Sequence, residues 1–194
     1  MVRSSVNISS SVSSLIFPKK LDLNETTPFI YVACLTDNNL RRLHGVWIDA
    51  TQDVKDIHED ILEMLANDPI GGVEKWNIRA FKGFKSFLIS ENESLEDISR
   101  KANFIVEHGE LGAELACYYA GNLEDAERAL KKNYRGSYTS ELDYAMSVFN
   151  DIYLDIVPEP VKAYIDYELF TADLFAEDCF SLEVQGRMHV FSRC

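Results

Sequence analysis

"FIYVACLTDNNLRRLHGVWIDA", residues 29–50, decides how this chain begins to fold. Its first half is rich in β-branched and aromatic residues, "DNN" is a turn signal, and "HGVWIDA" supplies a second apolar run, so the pattern predicts two paired strands. "TQDVKDIHEDILEMLANDP" (51–69) then carries Val54, Ile57, Ile61, Met64 and Leu65 at helical spacing, with Thr51 as the expected N-cap and Pro69 as the stop. "EKWNIRAFKGFKSFLI" (74–89) returns to the apolar alternation of a strand and bends at Gly83. A small α/β unit with an antiparallel sheet and one helix is expected over 29–90.

Helical signals follow. "SLEDISRKANFIVEHG" (94–109) opens with capping-box spacing between Ser94 and Asp97. "ELGAELACYYAG" (110–121) and "NLEDAERALKKNYRG" (122–136) repeat the pattern, and each of the three finishes at a glycine, Gly109, Gly121 and Gly136. Three short helices bury their faces only against one another, which predicts a central bundle over 91–136. "TSELDYAMSVFNDIYLDI" (139–156) puts Leu142, Ala145, Met146, Phe149 and Tyr153 on one side and stops before Pro158 and Pro160. "AYIDYELFTADLFAEDCF" (163–180) repeats Tyr164, Tyr167, Phe170, Leu174 and Phe175 at helical intervals, and "CFSLEVQGRMHVFS" (179–192) reads as a hairpin about Gln185 and Gly186. Its Leu182, Val184, Met188, Val190 and Phe191 are expected to cover the aromatic helix. The fold class is therefore α+β. It is expected as an elongated chain of three small domains: the N-terminal sheet with its helix over 29–90, the central helices over 91–136, and helices plus hairpin over 137–194. Residues 1–28, with seven serines and no acid before Asp22, read as a flexible tail.

Composition narrows the function. The chain has 194 residues, of which 46% are apolar, and a net charge of −13 from 32 acids and 19 bases. Residues 1–45 carry five bases and three acids, net +2, and the other 149 carry 14 bases and 29 acids, net −15. Such a body repels phosphates, so direct binding to nucleic acid is disfavoured and a basic partner is expected. Cys34, Cys117, Cys179 and Cys194 form no Cys-x-x-Cys pair, which suits free thiols in a reducing, cytoplasmic setting. No run approaches the roughly 20 apolar residues of a membrane span.

Enzyme readings fare poorly. His44, His58, His108 and His189 lie in four different elements without metal-binding spacing, and "IGGVEKW" (70–76) lacks the Gly-Lys-Ser/Thr ending of a phosphate loop. A Gly-x-Ser-x-Gly elbow is missing too. Asp166, Glu168 and Asp173 offer the carboxylates that a hard cation takes, but residues 166 and 168 fall about 200° apart on a helix. Neither a metal, a cofactor nor catalysis is expected.

What remains is the distribution of acids. Glu124, Glu127, Arg128 and Lys131 have the spacing of opposite-charge pairs and need no further role. Asp53, Asp56, Asp60 and Glu63 form an acidic stripe, and Glu91, Glu93, Glu96 and Asp97 a second cluster, although like charges on neighbouring turns cost stability. Glu107, Glu110 and Glu114 continue the series, and Asp166, Asp173, Glu177 and Asp178 end it. One reason to keep them is an acidic surface competing for a DNA-binding cleft. Acids at i, i+4 and i+7 recur about every 5 Å along a helix, whereas duplex DNA carries a charge about every 1.7 Å. Mimicry therefore asks for several helices in a row, an elongated shape and a homodimer.

"FIYVACLTDNNLRRLHGVWIDA", "EKWNIRAFKGF", "NYRGSYTSELDYAMSVF" and "VPEPVKAYIDYELFTADLF", in that order, resemble the ArdA antirestriction proteins over about Phe29–Ser192. The most specific pieces are Gly45-x-Trp47, Glu74-x-Trp76-x-Ile78 with Gly83-Phe84, Tyr134-x-Gly136, and the run from Tyr164 to Glu168 with Asp173-Leu174. The resemblance implies an acidic, elongated dimer of three small domains that mimics B-form DNA. Its implied partner is the methyltransferase core of type I restriction-modification enzymes, at the basic DNA cleft. Where the family usually has Asp, an aromatic and Glu before the third-strand glycine, this chain has Ala80, Phe81 and Lys82. Trp47, Trp76, Tyr164 and Tyr167 are expected in the core. The alternative reading is an acidic adaptor that reuses this scaffold on another basic partner.

Overall fold

The structure is a computed structural model that describes residues 27–34, 44–68 and 75–193. The expected "DNN" turn, the Pro69 stop and the tail up to residue 26 lie outside the described residues. The architecture is mixed α+β. Strands β1 (Phe29–Cys34), β2 (Gly45–Asp49) and β3 (Trp76–Lys82) form an antiparallel sheet in the order β2-β1-β3. Helix α1 (Val54–Ala66) crosses between β2 and β3. Helices α2 (Leu95–Tyr118) and α3 (Leu123–Lys132) lead to β4 (Tyr134–Tyr138). Then come α4 (Glu141–Ile152), the short α5 (Glu159–Lys162), α6 (Tyr167–Glu177), β5 (Cys179–Val184) and β6 (Arg187–Ser192). A second antiparallel sheet runs in the order β4-β6-β5.

Side-chain capping explains most helix starts. Ser94 accepts the Asp97 amide, Asn122 the Glu124 and Asp125 amides, Ser140 the Asp143 amide and Asp166 the Leu169 amide. Thr51 does not cap α1. Asp53 holds the N-cap position without a side-chain bond, while the Thr51 amide and hydroxyl both donate to Asp49 Oδ1, at 2.8 and 2.7 Å. The break foreseen at Gly109 is present inside α2, where φ 64° and ψ −153° interrupt the helical backbone. Only glycine adopts that conformation at little cost.

The C-terminal hairpin has a third strand. The run to Gly136 reads as helix in the sequence, but α3 stops at Lys132 with Asn133 as its C-cap, and Tyr134–Tyr138 pairs with β6. Asn133 secures the changeover: its Nδ2 donates to the Ser192 carbonyl at 2.9 Å, and its own carbonyl accepts the Ser192 amide at 2.9 Å. Gly45 opens β2, where a Cβ would lie 2.5 Å from the Val32 carbonyl oxygen.

One apolar core joins Ile30, Val32 and Ile48 of the first sheet to Ile57, Ile61 and Met64 of α1. It continues through Ile98, Ala102, Ile105, Leu115 and Ala129 to Phe180 and Phe191 of the second sheet. Tyr118 stacks on Phe180 at 4.2 Å and 2°, and Phe180 on Phe191 at 5.2 Å, which ties α2 to that sheet. A smaller cluster of Tyr144, Cys179 and Val190, packed with Tyr138, Val148, Leu174 and Phe175, lies under α4 and α6. The two faces of β6 thus serve different cores, Phe191 toward the central helices and Val190 toward α4 and α6.

Candidate protein-binding surface

The anticipated acids fall into three kinds by what surrounds them. On α1, Asp53, Asp56 and Glu63 are exposed, and none has an ion pair among the described residues. Asp60 is half-buried and accepts Gln52 Nε2 at 3.1 Å. The burial of Ile57, Ile61 and Met64 on the opposite side turns these acids outward. Asp60 and Glu63 also line a cavity of about 460 Å³ with His44, Gly45, Val46 and Asn67. His44 Nε2 lies 2.9 Å from the Met64 carbonyl oxygen, so this histidine ties β2 to α1.

The second group is largely occupied with structure. Glu93 accepts Lys101 Nζ and the Ser90 amide, and Lys101 Nζ reaches the Leu88 carbonyl at 3.4 Å. Asp97 accepts the Ser94 hydroxyl at 2.8 Å and faces Arg100 at 3.7 Å. Glu91 accepts Asn77 Nδ2 at 3.3 Å, while its carbonyl accepts the Ile78 amide. Glu110 accepts Gln185 Nε2 at 3.1 Å, linking α2 to the β5–β6 turn, and Glu114 accepts the Ser86 hydroxyl. Glu107 lies 3.7 Å from His108 Nε2, and Glu96 is exposed. On α3, Arg128 pairs with Asp125 at 2.8 Å instead of Glu124, and Lys131 pairs with Glu127. The Lys131 hydrogen bond and charge hold the Glu127 carboxyl below its ordinary range.

The third group is the barest. Asp166 caps α6, and Asp173, Glu177 and Asp178 are exposed without an ion pair among the described residues. Sequence reasoning missed Asp151 and Asp155 and weighed Glu168 only as a cation ligand; all three are also exposed. The signal was available as a scarcity of cations: from Glu141 to Glu183 there are eleven acids and one base, Lys162, which pairs with Glu159 at 2.9 Å. α4 and α6 pack through rings, Phe149 against Tyr167 and Phe170 at 5.3 and 5.2 Å, and Tyr153 against Phe170 at 6.1 Å.

That packing corrects the aromatic expectations. No residue of α6 is buried, Tyr167 is half-buried with its hydroxyl 3.3 Å from Asn150 Oδ1, and Tyr164 is 85% exposed. Tyr164 precedes α6, in the turn after α5, so it has no helical face to join. Trp47 and Trp76 are half-buried, and Trp76 packs against the main core as expected.

The described thiols are not poised for nucleophilic chemistry. Burial, then the hydrogen bond from Cys34 Sγ to Asp68 Oδ2 at 2.8 Å, pushes the Cys34 thiol up to about 11. Burial also raises Cys117 and Cys179. Among the described residues no group of three His, Cys, Asp or Glu side chains could hold a metal ion, and no helix is long and apolar enough to cross a membrane. Residues 30–187 match the family described as Antirestriction protein (ArdA). No curated protein matches the chain.

Proposed function

Because the chain belongs to the ArdA antirestriction family, whose members inhibit type I restriction-modification enzymes and are not enzymes themselves, we propose that its exposed carboxylates imitate DNA phosphates. In this reading they fill the basic DNA-binding cleft of the methyltransferase core. The observation that carries the proposal is the stretch Glu141–Glu183, where eleven acids face one base and most carboxylates have no cation beside them among the described residues. Like charges left unpaired cost stability, so their retention is accounted for by a partner that supplies the cations. The α1 acids Asp53, Asp56, Asp60 and Glu63 extend the same imitation from the other end of the chain.

Spanning a duplex-sized cleft calls for three small domains in a row, divided near residues 90 and 136, and for two copies of the chain. Support for a homodimer comes from apolar side chains left in water beside the acids: Ile156 is 73% exposed and Leu169 60%. Replacing Leu169 by Asp is expected to shift sedimentation toward the monomer, and an unchanged dimer would remove this support. The cytoplasm is the proposed location, since the target works on DNA there.

The decisive test is competition. The protein is mixed with a type I methyltransferase over a range of salt concentrations, and duplex DNA is titrated in. Mimicry predicts displacement by DNA and an affinity that falls steeply with salt, as each screened ion pair is lost. Binding that ignores both would favour the adaptor reading, in which the partner is engaged outside its DNA cleft.

A further inference from the structure

Where the second sheet meets α2, polar side chains gather that the acidic surface does not use. Side chains alternate along β6: Val190 joins the cluster under α4 and α6, and Phe191 the main core. Arg187 and His189 fall on the Phe191 side by the same alternation. Ser137 of β4 stands opposite His189, and Val184 of β5 opposite Arg187, so all four share that face. Across from them α2 breaks at Gly109, where φ is 64°, and brings His108, Glu110 and Leu111 to the same place. With Gln185 these residues line a cavity of about 370 Å³ between α2 and the sheet.

Arg187 is oriented by two bonds to one residue, Nε to the Ser137 hydroxyl at 2.7 Å and Nη2 to the Ser137 carbonyl at 2.9 Å. No carboxylate pairs with it, and its Nη1 has no partner, among the described residues. The Tyr134 hydroxyl lies 2.9 Å from His189 Nδ1 and can donate there, which puts the proton of the neutral ring on Nε2. His108 is held by its ring contact with Phe104 at 4.6 Å. The carboxylates beside the cavity are Glu107, 3.7 Å from His108 Nε2, and Glu110, which already accepts Gln185 Nε2 at 3.1 Å. We propose that this cavity binds a small oxyanion, a phosphate or carboxylate group, with Arg187 as its charged partner and His189 and His108 as further donors. A guanidinium presents paired N–H groups to such an ion, and ligand cavities favour the junctions between packed units. Burial and then the Arg187 charge lower the His189 pKa, and an oxyanion between the two side chains would reverse the second effect. The site lies on the opposite face of β6 from α4 and α6, so the inference stands whether or not the acids mimic DNA.

The test follows the His108 and His189 ring resonances of the full chain by NMR across pH. Inorganic phosphate or acetate is added against sodium chloride of equal ionic strength. Millimolar phosphate or acetate is expected to move both rings saturably and to raise the His189 pKa above its value in chloride; which of the two acts identifies the kind of oxyanion. Arg187→Gln is expected to weaken the response about tenfold, as one charge-assisted hydrogen bond is lost. Glu110→Gln keeps an acceptor for Gln185 but removes the facing charge, so it should tighten binding several-fold, and it decides alone if the Arg187 variant does not fold. Rings that answer neither ion, or that answer chloride equally, overturn the proposal. So does a response unchanged in Arg187→Gln, or one no tighter in Glu110→Gln than in the parent.

Discussion

Between Val54 and Ala66, α1 buries three apolar side chains and carries its acids on the back of a packed helix. Between Tyr167 and Glu177, α6 buries no residue, and its acids stand on a helix held by half-exposed rings. The same residue type therefore rests on different foundations. At α1 the core fixes where the carboxylates point, and their repulsion is a small charge against a large hydrophobic gain. At α6 the apolar gain is small, its acids have no ion pair among the described residues, and the geometry depends on α4 and the β-sheet beneath. A partner that provides cations then does more for the second region than for the first.

Truncation separates the two foundations most sharply. Phe191 is fully buried where β6 meets the central core, so Phe191→Ala is expected to cost about 3–5 kcal/mol in urea denaturation. Leu169→Ala, at 60% exposure on α6, should change stability by no more than about 0.5 kcal/mol. Comparable losses at both sites would mean that α6 is as firmly packed as β6, and the contrast would fall.

Charge reversal asks which region meets the target. Changing Asp173, Glu177 and Asp178 to Lys is expected to weaken capture of a type I methyltransferase at least about tenfold, ~1.4 kcal/mol, and to flatten the dependence of affinity on salt. The thermal midpoint should hold or rise, because repulsion among the remaining acids is relieved. Asp56, Asp60 and Glu63 to Lys should cost less affinity, since Asp60 is half-buried and already bonded to Gln52. A larger loss from the α1 set would invert the comparison.

How much of this was legible in the sequence depended on the range of the interactions. The helix start at Ser94 was legible from local chemistry and the break at Gly109 from its backbone freedom, whereas Thr51 was the wrong cap for α1 and the caps Asn122, Ser140 and Asp166 were not singled out. β4 was misread because "LKKNYRG" keeps a helical look until Asn133 meets Ser192, 59 residues away. The acids show the same divide. Their positions can be read from the letters, but the partners of Glu93, Glu110 and Glu114 are Lys101, Gln185 and Ser86, and no spacing rule finds a contact across 28 or 75 residues. Exposed Asp173 and occupied Glu114 look alike until the chain is folded.

Asp166 lets cap and charge be separated on one side chain. Asp166→Ala removes both and is expected to destabilise the chain by about 1 kcal/mol. Asp166→Asn keeps an acceptor for the Leu169 amide, so stability should be nearly retained while affinity for the target drops. If the Asn variant binds as tightly as the parent, Asp166 serves only as a helix cap and leaves the proposed surface.

The smallest effect concerns the sheet under the acidic helices. His189 on β6 pairs with Ser137 and Leu182 across the ladder, and its Nδ1 lies 2.9 Å from the Tyr134 hydroxyl. Burial first, and then the Arg187 charge, pull the His189 pKa below its ordinary value of 6.5. The unfolded chain therefore binds the proton more readily than the folded one, and stability rises with pH across that window. The contribution is complete above about 6.5 and drains away as pH falls through the lowered value. Melting curves of the parent and of His189→Gln, recorded from neutral to mildly acidic pH, should converge on acidification, because only the parent loses this increment. A constant gap between the two curves would show that protonation of His189 does not weaken the β4–β6–β5 sheet, and the acidic helices would then rest on a support indifferent to pH.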